Sequence, residues 1–205
     1  MKTTQTQLRC EVLVAGGGPA GVSCAIAAAR CGAKTILCQD RPVLGGNASS
    51  EVRMHIVGAN GMSEGLPLQR EAREGGIVEE IRLNQCVRNP QRSPSMMDLE
   101  LYDLCRQEPN LTLMLNTSVT QAHTNGRQIE SITAERPSTN DRFEISAQIF
   151  VDCTGDGALG YLSGASFSMG RESQAEYSES LATMSGDKKT LGSTPGPWSR
   201  TRRTA

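Results

Sequence analysis

The first apolar runs are short and unbroken: Val12-Leu13-Val14-Ala15, then residues 34–38 (KTILC). Runs of this length predict strands covered on both faces, as in a parallel sheet. Between them, residues 22–30 (VSCAIAAAR) are small and apolar, which suits a helix pressed on such a sheet. Cys31-Gly32 ends that helix, glycine being favoured just past a helix terminus. The pattern then turns polar. Residues 41–46 (RPVLGG) read as a loop, and Ser49 or Ser50 is placed to cap a following helix. Charges at 67–82 predict an exposed helical region broken at Gly75-Gly76, and 85–95 reads as a polar loop. Leu101, Leu104 and Cys105 fall at helical spacing within 97–107.

Beyond that helix the period changes. Residues 111–115 (LTLML) predict a third buried strand, which 116–122 continue in alternation. Residues 128–135 and 143–151 form two more alternating segments, joined by a polar turn at 137–141, and predict a hairpin or meander on the edge of the unit that the first strands and helix build. The second of these runs into Asp152-Cys153-Thr154-Gly155-Asp156-Gly157.

Gly16-Gly17-Gly18-Pro19-Ala20-Gly21 lies between the first strand and the first helix. A G-x-G-x-x-G carries weight only in that strand–turn–helix setting. There Gly16 makes the sharp turn, Gly18 lets backbone approach a pyrophosphate, and Gly21 lets helix and strand close up. The phosphates would face unpaired N–H groups and the positive end of the helix dipole. The bland alternative is an ordinary glycine-rich turn. The usual partner is an acidic residue at the end of the second strand, bonded to a ribose hydroxyl. By count that position holds Gln39, whose amide oxygen can accept a hydrogen bond, with Asp40 one residue later.

Composition narrows the field. The chain has 205 residues and a net charge of −1, so its balance points to neither nucleic acid nor an acidic partner. No apolar run approaches the roughly 20 residues of a membrane helix, and residues 1–10 are polar without a signal core. The 7 cysteines include no C-x-x-C pair, leaving disulfide scaffolds, zinc ribbons and iron–sulfur clusters without support. Reduced thiols in a cytoplasmic protein are the expectation. With two histidines and no matched ligand spacing, no metal site is expected.

GGGPAG, RPVLGG, the meander and VDCTGDG together resemble the FAD-dependent oxidoreductases with a glutathione-reductase-like flavin domain. GGNASSEVRMHIVGANG and the later GRES and EYSESLA are similar to a subfamily of unassigned substrate, some of whose members carry names such as xanthan lyase or heterodisulfide-reductase-A-like protein. The resemblance spans residues 11–193. It implies an α/β, Rossmann-like FAD-binding domain over 1–193, a parallel sheet with a β-meander and a helical insertion at about 50–107. It implies FAD as cofactor and a small-molecule substrate. Some longer relatives carry an iron–sulfur partner or domain, which nothing here supports. Residue by residue, Gly16, Gly18, Pro19, Ala20 and Gly21 would face the pyrophosphate. Gln39 or Asp40 would take the ribose, with Arg41 beside the adenosine. Gly45, Gly46, Asn47 and Ala48 would run along the pyrophosphate towards the flavin, Val119 would meet adenine, and Thr154, Gly155 and Asp156 would close over the dinucleotide.

The flavin carries the redox chemistry in such enzymes, so protein groups position substrate and tune charge. If residues 50–56 are extended, Glu51, Arg53 and His55 share one face and make a candidate substrate-side trio. The other reading of these three is a solvated cluster. His123, beside the turn at Asn125-Gly126, reads as surface. Residues 194–205 (TPGPWSRTRRTA) have the composition of a disordered tail, and the chain is expected to be the N-terminal portion of a longer enzyme. Two other readings compete: an NAD(P)-binding Rossmann domain, which has no need of RPVLGG or TGDG, and a non-catalytic nucleotide-binding fragment.

Overall fold

A computed structural model describes residues 4–54, 56, 75–167, 170, 172–178, 180 and 184. The chain clusters into two compact units, Met1–Ala165 and Ser166–Ala205. The second contributes one described helix, Gln174–Tyr177.

In the first unit, strands β2 (Val12–Ala15), β3 (Thr35–Cys38), β4 (Leu111–Met114) and β8 (Ile149–Asp152) form a parallel sheet in the order β4-β3-β2-β8. The fold class expected from sequence is therefore found: α/β, with a parallel sheet and a meander. Helix α1 (Pro19–Arg30) links β2 to β3. Helices α2 (Gly76–Arg88) and α3 (Pro94–Gln107) precede β4. Val14 and Leu37 join Val22, Ala25, Ile26, Ile81, Leu101 and Leu104 in a core on the helical side. Leu13, Ala15, Ile36 and Cys38 point the other way, into a second core. Alternate side chains of one strand thus feed opposite faces, and both faces are covered.

The second face is covered by another four-stranded sheet, ordered β1-β7-β6-β5. Strands β5 (Ser118–Asn125), β6 (Gln128–Arg136) and β7 (Asp141–Ser146) form the antiparallel meander. Ile132, Ala134, Phe143 and Ile145 are its buried hydrophobic residues. Strand β1 (Thr4–Arg9), where the polar N-terminus predicts no element, pairs in parallel with β7. Its backbone ladder holds it there, since of its described side chains only Leu8 is even half-buried.

Three boundaries differ from expectation for physical reasons. The strand predicted to run on from 111 to 122 breaks at Asn116, whose φ of 51° turns the chain from one sheet to the other. The single segment expected over 143–151 is two strands in different sheets. Its inward positions switch from Phe143 and Ile145 to Phe150, because the two sheets face each other. The predicted loop at 85–95 shrinks to 89–93. Asn89 is buried and organises that turn, its Nδ2 donating to Gln85 Oε1 (2.6 Å) and its Oδ1 accepting from Ser93 N (2.8 Å). Pro94 then starts α3 at a position where a missing N–H costs nothing. Residues 67–74 and 194–205 lie outside the described residues.

Candidate functional site

The C-terminal ends of β2, β3 and β8 lie side by side, and each runs into a loop that carries glycines. Chain order reverses here, with β3 on one side of β2 and β8 on the other. In open α/β sheets such a switch point is where the crevice forms.

The turn after β2 is shaped by the atoms a side chain would hit. Gly16 has a φ of 97°, and a Cβ there would overlap the Cys153 carbonyl. Its N–H donates to Cys38 O (2.8 Å), tying the turn to β3. A Cβ on Gly21 would overlap the Gly16 carbonyl oxygen, so helix and turn touch backbone to backbone. Gly18 differs. Its φ of −67° suits any residue, and a Cβ there would meet nothing within 4 Å. It is the N-cap of α1, Pro19 comes next, no side chain caps the helix and no acidic residue lies in its first turn. The positive end of α1 is thus bare beside open space.

Two loops flank that space. After β3, Gln39 is only 5% exposed, its Oε1 accepting from Gly17 N (2.7 Å) and its Nε2 donating to Val43 O (3.1 Å). Its amide braces the glycine turn. Asp40 is exposed. Arg41 is forked onto Glu51, Nε at 2.9 Å and Nη2 at 2.6 Å, which pulls the Glu51 carboxyl below its ordinary range. Gly45 N donates to Gly17 O (2.8 Å) and Gly46 closes on Gly18, bringing the short turn Gly46–Ala48 against the helix N-terminus. Asn47 is exposed and Ala48 buried. Ser49 closes the Gly46–Ala48 turn and starts no described helix: its hydroxyl donates to Gly46 O (2.7 Å) and accepts from Glu51 N (3.2 Å).

After β8, Cys153 N donates to Ala15 O (2.7 Å). Asp152, to which the sequence pattern assigns no role, organises the glycine loop between β8 and α4 (Ala158–Leu162). It accepts from Thr154 N (3.0 Å), Thr154 Oγ1 (2.7 Å) and Gly160 N (2.8 Å). Burial raises its pKa, but these bonds outweigh burial and hold the carboxyl below its ordinary range. Thr154 Oγ1 in turn accepts from Ala158 N (2.8 Å) at the start of α4. The two-residue step from Asp152 to Thr154 is an Asx-type turn, a signal that can be read from sequence. Gly155 and Gly157 take φ of 84° and 68°, and Asp156 stays exposed.

Val119 lies on β5, half-buried against the meander-side core. Its strand is held near the second loop by Thr117 N donating to Gln39 O (2.8 Å) and Asn116 N to Arg41 O (3.2 Å). Two of the trio expected on one extended face, Glu51 and Arg53, are described. Residues 50–52 turn, Arg53 has a φ of 64°, and Glu51 is bound to Arg41. His55 lies outside the described residues. His123 is exposed on β5, its Nε2 2.9 Å from Thr133 Oγ1. Among the described residues no group of three or more His, Cys, Asp or Glu is placed to hold a metal ion, and no helix is long and apolar enough to cross a membrane.

A glycine turn, a bare helix N-terminus and two flanking glycine loops at a switch point define a dinucleotide-binding α/β protein. The chain belongs to the FAD dependent oxidoreductase family, whose model matches residues 11–201. No curated protein matches it by sequence. Among solved structures it is similar to a geranylgeranyl bacteriochlorophyll reductase-like protein from Thermoplasma acidophilum, with 16% identity and a TM-score of 0.52, over 77% of this chain and 42% of that one. It is also similar to p-nitrophenol 4-monooxygenase from Pseudomonas putida DLL-E4, at 10% identity and a TM-score of 0.49, over 80% and 45% of the two chains. L-proline dehydrogenase from P. horikoshii matches at 17% identity and a TM-score of 0.44, over 75% and 24%. The first of these supports the fold; the chain spans 24% to 45% of the lengths of the three.

Proposed function

We propose that this chain is the FAD-holding part of a flavin-dependent oxidoreductase acting on a small molecule in the cytoplasm. The observation that carries this reading is Gly18: the uncapped N-terminus of α1, open on one side and walled by loops 45–48 and 154–157. The backbone N–H groups of Gly18, Ala20 and Gly21 would hold the pyrophosphate, with Gly16 and Pro19 shaping the turn beside it. Gly45, Gly46, Asn47 and Ala48 would flank it, and Thr154, Gly155 and Asp156 would close the other side. With the Gln39 amide committed to Gly17 and Val43, the exposed Asp40 is the group left for the ribose hydroxyls. Val119 would approach the adenine end. When bound, the flavin supplies hydride or electron transfer, and the chain supplies binding and orientation. Seven free cysteines, three of them buried, support the cytoplasmic setting.

The test is the purified full chain titrated with FAD, monitored by flavin absorbance and thermal unfolding. A ligand that binds only the folded state stabilises it by about 2.7 kcal/mol at 100 times its Kd. FAD should raise the Tm and NADH should not. A colourless protein stabilised by NADH alone favours the nicotinamide reading, and stabilisation by neither favours a non-binding fragment.

A further inference from the structure

A cleft of about 620 Å³ shares the Gly46–Ala48 turn with the dinucleotide site and runs to the turn joining α2 and α3. Arg53, Arg82 and Arg92 line it, Ala48, Ile56 and Met97 give it apolar wall, and no Asp or Glu is among its described lining residues. Two of these arginines sit in a backbone conformation that disfavours them. Five described non-glycine residues have positive φ: Asn116, Asn140, Ser178, Arg53 (64°) and Arg92 (55°). Asparagine tolerates that region through short-range hydrogen bonding, but arginine has no such compensation. Both arginines line this one cleft. Little neutralises the charge. The Arg92 guanidinium has no hydrogen bond or ion pair among the described residues. Arg53 Nε donates to Ser50 O at 3.1 Å, and Arg82 Nη1 stands 3.8 Å from Glu79 Oε2 on its own helix.

We propose that the cleft is the substrate pocket and takes a small organic carboxylate with an apolar body. The guanidinium groups, planar and always charged, suit a carboxylate through paired N–H donors, while Ile56 and Met97 cover the rest. This rests on the flavin reading, because the cleft adjoins the cofactor only through the turn set against Gly18.

Calorimetric titration of the full chain, with and without FAD, tests the cleft independently of the cofactor. Benzoate is the probe, benzamide its neutral isostere and inorganic phosphate the anion without an apolar body. Benzoate should bind at least tenfold more tightly than either, and more weakly as salt rises. Arg92→Gly should weaken benzoate about tenfold, the loss of one charge-assisted contact, without lowering the Tm, since glycine relieves the backbone. Arg53→Gln and Arg82→Gln should weaken it similarly and leave any FAD response unchanged. Equal binding of benzoate and benzamide, tighter binding of phosphate, no heat from benzoate, or undiminished binding by a variant combining Arg53→Gln, Arg82→Gln and Arg92→Gly each overturns the proposal. Loss of the FAD response with benzoate binding intact instead overturns the flavin reading alone.

Discussion

Gly18 and Gly21 do different jobs in one turn, and alanine separates them. At Gly21 a methyl group collides with the Gly16 carbonyl. Overpacking of this kind costs typically ~1–3 kcal/mol, so Gly21→Ala should lower the denaturation midpoint even without ligand. At Gly18 the methyl enters open space in an ordinary conformation. Gly18→Ala should therefore leave stability within about 0.5 kcal/mol of the parent while weakening FAD binding, read by flavin titration. If both variants lose stability equally, Gly18 is structural. Gln39 is a further residue-scale case. Gln39→Ala strands the Gly17 N–H that its Oε1 satisfies, and a buried unpaired donor costs ~1–3 kcal/mol. Urea unfolding should show that loss.

The elements were legible to different degrees. β2, β3 and α1 stand close to where residues 12–38 predict them, because a strand covered on both faces and a close-packed helix must be apolar throughout. β1 was not legible, since a polar edge strand is held by backbone bonds to β7. Nor was the division of 143–151 into two strands, for alternation reports which way a side chain points and not which sheet receives it. Asp152 acts at this scale, joining the end of β8 to the start of α4. Its folded pKa lies below the ordinary value, so its contribution is complete above the unfolded carboxyl pKa of about 3.9 and is lost as pH falls towards the folded one. The stability gap between the parent and Asp152→Asn should thus be constant near neutrality and shrink below about pH 4. A gap that widens on acidification would contradict this.

Across the whole molecule, the two cores decide which thiols are reachable. Burial pushes Cys10 up to about 11 and both Cys38 and Cys105 up to about 12. Only the thiolate reacts, so these three should resist a disulfide reagent at pH 8 until the protein unfolds. The exposed Cys31 and Cys86 should react at once. Fast labelling of Cys38 would show that the sheets part readily. This contrast was hidden in sequence, where Cys31 and Cys38 both come after apolar segments.

By itself the amino-acid sequence determined the α/β class, the glycine turn and the family to which the chain belongs. Those depend on local requirements, since a turn with no room for Cβ demands glycine wherever it lies. Tertiary structure alone decided which polar groups remain free around that turn. Gln39 stands where a ribose ligand is expected, yet its amide is consumed by Gly17 and Val43, and Glu51 is claimed by Arg41. Arg53, Arg82 and Arg92, separated along the chain, meet at one cleft. A side chain's availability depends on the partners that folding brings to it, and those partners lie on other elements.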